Sequence, residues 1–218
     1  MTEREALLAA ICANPDDDTP RLVYADWLQE NGDPDRAEFI RLECRLAMWN
    51  HDFGKEADPD GELARGELCS SKLHAANRFR WLSEIVGREP YHDANPDYQY
   101  GLFHRGFVDQ VFVYNPEPFL SDWPLIMRIT PIKKLLVNCV LSLRRVVEVS
   151  EIVRLRELVL RYDARLLSEH ALVLALAADR CPKLSIRVEG ITGEDVSQLL
   201  RNYYGNRVSF QLPFLPPV

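Results

Sequence analysis

Cys44, His51, Cys69 and His74 are spaced C-x6-H-x17-C-x4-H, two thiols and two imidazoles of the kind that hold zinc. Structural zinc sites set two ligands on one turn through a tight C-x2–4-C pair, and this chain has none. No metal site is therefore assigned. A cysteine nucleophile would need His92 or His170 as its base, and nothing in the sequence brings such a pair together. The dipeptides His51-Asp52 and His92-Asp93 are too common to be diagnostic. Walker A, G-x-G-x-x-G and G-x-S-x-G patterns are all missing. The sequence predicts no catalytic residue, no cofactor and no enzyme.

Electrostatic recognition is the other chemistry within reach, and it depends on a repeat. After Gly106 the frame L-x-x-L-x-L can be laid down as Val108-Val111-Val113, Ile132-Leu135-Val137, Leu155-Leu158-Leu160, Cys181-Leu184-Ile186 and Gly205-Val208-Phe210. The starts lie 24, 23, 26 and 24 residues apart, inside the span of leucine-rich repeats. Helix-compatible segments, 119–129, 145–153, 164–178 and 194–203, separate the frames. One strand, one turn and one helix per repeat would stack as parallel rungs with helices on the convex side. Frame residues point inward, so the positions between them face the concave side. Those positions hold Lys133, Lys134, Arg156, Arg161, Lys183, Arg187 and Arg207, with Asp109 and Glu157 as the only acids and Tyr114 and Tyr162 among them. Such a stripe suits an acidic protein surface. It also suits nucleic acid, which the net charge of −7 disfavours. Edge lysines and arginines that merely keep a sheet soluble would look the same.

The first half of the chain reads as helices. Thr2 and Glu5 form a capping box ahead of Leu7, Leu8, Ile11 and Cys12. Thr19 with Pro20 opens a second helix, Gly32 suits the left-handed position after it, and Asp33-Pro34 opens a third, to about Met48. The short link predicts an antiparallel hairpin, with Tyr24, Trp27 and Leu28 facing Phe39, Ile40, Leu42 and Leu46. Asp26 then comes within reach of Arg36 or Arg41 as a structural ion pair. A longer helix is expected from Glu62 to about Val86, with Leu63, Leu68, Leu73, Phe79, Leu82 and Ile85 as its apolar positions. Residues 87–104 follow without helical or strand period, a loop long enough to serve function; an enzyme using it is the third and least favoured reading, after protein binding and nucleic-acid binding.

Composition agrees with a soluble globular protein: 218 residues, 47% hydrophobic and 27% charged. The longest apolar run, 171–178, is eight residues, too short to span a membrane. Acids stand beside the N-terminal apolar residues, unlike a signal peptide. Five well-separated cysteines point to free thiols and the cytoplasm. Residues 1–105 carry 12 Lys+Arg against 21 Asp+Glu, and residues 106–218 carry 14 against 12. The change of charge coincides with the change of period, which predicts two domains, 1–105 and 106–218.

Leu7-Leu8-Ala9-Ala10-Ile11, Asn14-Pro15-Asp16-Asp17, the run from Pro20 to Leu28, and Gly32-Asp33-Pro34 through Arg36-Ala37-Glu38-Phe39-Ile40-Arg41 together resemble the repeat-companion domain of planctomycete bacteria. The resemblance is dense over residues 1 to about 48. It continues more loosely to Phe103-His104-Arg105-Gly106-Phe107-Val108, which is similar to the motif leading into the repeats of such proteins. It implies a helical domain set ahead of leucine-rich-like repeats, and it carries no activity or cofactor. The expectation is an α/β chain: an α-helical domain followed by a short leucine-rich-repeat-like solenoid that binds a protein.

Overall fold

The computed structural model describes residues 1–52, 58, 60–86, 98–101, 103–137, 154–161, 171–172, 174–175, 178, 180–189 and 194–211. Two compact units divide the chain. The first takes in Met1–His92, Leu102–Asp109 and Leu125–Pro131; the second takes in Asp93–Gly101, Gln110–Pro124 and Ile132–Val218.

The first unit is helical. Helix α1 (Glu3–Ala13) starts on the expected capping box, with Thr2 Oγ1 accepting from the Glu5 amide and Glu5 Oε2 from the Thr2 amide. Helix α2 spans Thr19–Glu30, and here the predicted cap is corrected. Thr19 is already helical: the N-cap position is Asp18, which makes no side-chain capping bond, and the Thr19 amide donates to Asp17 Oδ1 at 2.9 Å. Gly32 adopts φ +90° as its position requires. Helix α3 runs from Pro34 to Asp52, capped by Asp33, whose Oδ1 accepts from the Arg36 amide at 3.2 Å. Helix α4 covers Glu62–Val86. Leu63, Trp81, Leu82 and Ile85 are its buried apolar residues, whereas Leu68 and Phe79 are exposed. The 3.6-residue period selected a stripe somewhat wider than the face actually covered.

Leu8, Ile11, Tyr24, Ala25, Leu28, Ile40 and Cys44 pack together with Phe107. Phe107 is delivered by a hairpin of β2 (Phe103–His104) and β3 (Phe107–Val108), antiparallel and joined by Arg105-Gly106. Both turn residues have positive φ, 51° and 80°, the signature of a type I′ turn. Arginine is unusual there. It is held by its own guanidinium, Nη1 donating to Asp16 O at 2.8 Å and approaching Asp18 Oδ1 at 3.3 Å.

The second unit is built on a six-stranded sheet in the order β1-β4-β5-β6-β7-β8. Its strands are β1 (Tyr98–Tyr100), β4 (Gln110–Val113), β5 (Lys134–Val137), β6 (Glu157–Arg161), β7 (Ser185–Glu189) and β8 (Val208–Gln211). Strands β4 to β8 are parallel in sequence order, and β1 pairs antiparallel with β4. Val111, Leu135, Leu158, Ile186 and Val208 share one row; Val113, Val137, Leu160, Val188 and Phe210 share the next. The fourth rung corrects the expected frame. Leu158 pairs with Ile186, and Leu184 lies ahead of the strand, its amide donating to Cys181 O at 2.9 Å in a turn. Rung spacings are accordingly 24, 23, 28 and 22 residues.

Helix α5 (Pro116–Ile129) contributes Phe119 and Trp123 to this unit, and Tyr98 packs edge-on to Phe119 while its hydroxyl bonds Asp122 Oδ2 at 2.7 Å. Residues 171, 172, 174, 175 and 178 are helical, with Ala171, Leu174, Ala175 and Ala178 buried. Helix α6 (Glu194–Tyr204) buries Val196, Leu200 and Tyr204. The segment 145–153, expected to be helical, lies outside the described residues. Mixed α/β architecture with a mostly parallel sheet is thus present, along with the helical N-terminal part.

Candidate functional site

Of the cations expected on one face of the sheet, Lys134, Arg161 and Arg187 share a face, because alternate strand positions point the same way and the strands are in register. Lys134, Glu157 and Ser185 form one cross-strand row; Phe112, Leu136, Val159, Arg187 and Ser209 form the next; Arg161, Glu189 and Gln211 the third. The charges are interleaved. Lys134 Nζ lies 3.0 Å from Glu157 Oε2, Arg187 reaches the other oxygen of Glu157, and Arg161 Nε donates to Glu189 Oε2 at 2.7 Å. Arg187 Nη1 is also 3.9 Å from Glu189 Oε1. Three cations and two carboxylates therefore form a ladder with little net charge. Each partly exposed pair contributes at most about 1 kcal/mol.

Glu189 is the residue that sequence reasoning missed. The alternation in Ser185-Ile186-Arg187-Val188-Glu189 puts it beside Arg187 on the same face. The middle of that face is not open either. Leu136 and Val159 are buried there, at 4% and 0% exposure.

Four other predicted contact residues lie off the face. Lys133, Arg156 and Lys183 come just before strands β5, β6 and β7. Arg207 ends the 3-10 turn before β8, and its Nη1 donates to Cys181 O at 3.2 Å and Leu184 O at 3.0 Å. Tyr114 is 40% exposed, its hydroxyl 3.3 Å from Gln99 Oε1. Tyr162 falls outside the described residues.

In the helical unit, Arg41 Nη2 donates to Asp26 Oδ1 at 2.7 Å and Nη1 to Gln29 Oε1 at 2.7 Å. Arg36 takes no part in that pair. Its guanidinium carbon sits 4.5 Å from the Trp81 ring centre, 5.0 Å from Phe103, 5.3 Å from Phe107 and 5.7 Å from Phe39. Only 8% of Arg36 is exposed, and its Nη1 has no hydrogen-bond partner among the described residues. Burial pushes its pKa down to about 10, which leaves it charged at neutral pH. Helical position explains the placement: one turn of α3 separates Phe39 from Arg36, so the face that buries the ring also buries the cation.

Asp33 caps α3 and holds Arg80 through two bonds, Oδ2 from Nη1 at 2.8 Å and Oδ1 from Nη2 at 3.0 Å. Burial alone would raise the carboxyl. The Arg80 bonds, the Arg36 amide and both guanidinium charges outweigh it and hold the carboxyl below its usual range. A depressed folded-state pKa contributes stability above the unfolded value and loses it as pH falls through the folded one. Thermal stability of the wild type is thus expected to drop as pH falls below about 4, and Asp33→Asn should flatten that slope. An unchanged slope in the variant would remove Asp33 from the acid response.

Of the cysteine and metal candidates, Cys44, Cys69 and His74 have described side chains. Cys44 is buried, and burial followed by the charge of Asp18 pushes its thiol up to about 12. A thiol so far above neutral is no nucleophile. His74 stacks on Phe39 at 5.9 Å and burial lowers its pKa. Cys69 is exposed on α4. His92 and His170 lie outside the described residues, as does the side chain of His51. Among the described residues no group of three or more His, Cys, Asp or Glu is placed to hold a metal. A cleft of about 250 Å³ between α3 and α4 is lined by Leu42, Leu46, Trp49 and Leu63, with Arg45, Glu62, Arg65 and Cys69 as its polar residues.

No protein-family model matches the chain, and no curated protein or solved structure is similar to it. Among the described residues no helix is long and apolar enough to cross a membrane.

Proposed function

We propose that the chain is a non-catalytic protein-interaction module. In this reading a repeat-companion-like helical domain precedes a short leucine-rich-repeat-like array, and the array presents cations to an acidic protein partner in the cytoplasm. The observation that carries the reading is the register of β4 to β8: five parallel strands in sequence order, with apolar rows returning every 22 to 28 residues. Stacked units of that kind make extended surfaces whose outward positions are free to vary for binding. Free thiols at Cys12, Cys44, Cys69 and Cys181 suit a reducing compartment.

Cross-linking followed by affinity purification of the tagged chain from its native cell tests this. A nuclease-resistant protein partner, cross-linked to residues 132–211, is the expected recovery. Recovery of nucleic acid alone, or of proteins cross-linked only to residues 1–86, would refute the module as described.

A further inference from the structure

The helical unit buries a guanidinium beside a small cavity. Arg36 lines a space of about 30 Å³ together with Arg4, Tyr24, Trp81 and Glu84, and every residue around it belongs to the first unit. Each helix supplies part of the set: Arg4 from the first turn of α1, Tyr24 from α2, Arg36 from the first turn of α3, and Trp81 with Glu84 from α4. Trp81 and Glu84 are three positions apart, so one side of α4 carries both. Donors outnumber acceptors. Arg36 Nη1 and Trp81 Nε1 are buried and have no hydrogen-bond partner among the described residues. Arg4 Nε donates to the Tyr24 hydroxyl oxygen at 3.3 Å, which leaves the hydroxyl its own hydrogen to give. Glu84 is the one carboxylate of the lining, and its Oε2 already accepts from Arg4 Nη2 at 2.8 Å. Two guanidiniums against one carboxylate leave the cavity positive.

We infer that this cavity binds a small carboxylate, which accepts hydrogen bonds from Arg36, Trp81 and Tyr24 and neutralises the buried guanidinium. Hydrogen-bond chemistry selects the ligand. A carboxylate only accepts, at two oxygens, whereas water must also give two hydrogens into a lining rich in donors. Charge selects it as well. A buried cation is costly unless paired, and the planar guanidinium matches a carboxylate in shape. Size sets the limit: about 30 Å³ is room for about two water molecules, so formate or acetate fits and a larger acid enters only by its headgroup. Arg4 and Glu84 have partly exposed side chains, and the ligand enters past them. The site draws on no residue of the sheet and stands apart from the protein-binding reading.

Titration of the isotope-labelled full chain with sodium formate at constant ionic strength tests this, read by NMR from the indole N–H signals of Trp27, Trp49, Trp81 and Trp123. The Trp81 signal, assigned through Trp81→Phe, is expected to shift saturably and further than the other indoles. Arg36→Met should weaken formate binding about tenfold or more, the scale of one hydrogen bond to a charged group. If that variant does not fold, Tyr24→Phe serves, with a loss of about threefold. Glu84→Gln should tighten binding, because a negative charge leaves the entrance; a merely structural Glu84 gives no such gain. A Trp81 signal that does not saturate, or moves no further than the others, overturns the site. Equal affinity in Arg36→Met and wild type, or weaker binding in Glu84→Gln, overturns the roles given to those groups. Chloride saturating the Trp81 signal more tightly than formate overturns the choice of ligand.

Discussion

Gly106→Ala is expected to destabilise the helical unit by about 3–4 kcal/mol, from backbone strain added to a steric clash. Two causes act at one position. The residue sits at φ +80° in the β2–β3 turn, where a Cβ costs about 1–2 kcal/mol. That Cβ would also stand 2.6 Å from Ile40 Cγ1 and 2.8 Å from Ile40 Cα. A side chain can rotate away, but the Cα of a packed helix cannot. Gly32 provides the control, because it has φ +90° and nothing within 4 Å of its notional Cβ. Gly32→Ala should cost about 1 kcal/mol, the conformational part alone. Urea denaturation followed by the fluorescence of Trp27 and Trp81 measures both. Equal losses at the two positions would show that the approach to Ile40 contributes nothing.

Arg36 carries the second large effect. Arg36→Ala is expected to lower stability by about 3 kcal/mol, since it empties the space among Phe39, Trp81, Phe103 and Phe107. Arg36→Met should cost less than about 1.5 kcal/mol, because an unbranched apolar chain keeps contact with the rings and removes a buried charge. Arg36→Lys should fall nearer to alanine, as an ammonium loses the planar stacking and stays buried without a partner. The same denaturation series ranks the three. Methionine as harmful as alanine would mean that the charge, not the volume, holds the site.

Much of this was legible in advance where the signal is local. The Thr2–Glu5 capping box, Gly32 in its left-handed turn and the Asp33 cap all depend on residues within a few positions of each other, and all are present. Parallel strands could be placed because buried rows leave a period in the sequence, and Val111, Leu135 and Leu158 hold the expected rungs. Leu184 misled because it is as apolar and as buried as a rung residue. The turn that it closes on Cys181 displaces the strand by two positions, and hydropathy does not distinguish a buried turn residue from a buried strand residue. The charge ladder was harder still. Whether Lys134, Arg161 and Arg187 look outward uncompensated depends on which carboxylates the next strand places beside them. Glu157 is counted in that stripe but not paired, and Glu189 falls outside the positions read off the frame. The aromatic surroundings of Arg36 draw on α3, α4 and the hairpin at 103–107, long-range neighbours that no window reveals.

Strand β1 runs against the direction of its neighbour β4. That strand bounds the parallel order on the side of β4, so a further strand laid beside Tyr98–Tyr100 in the direction of β4 to β8 would pair there only in the antiparallel pattern.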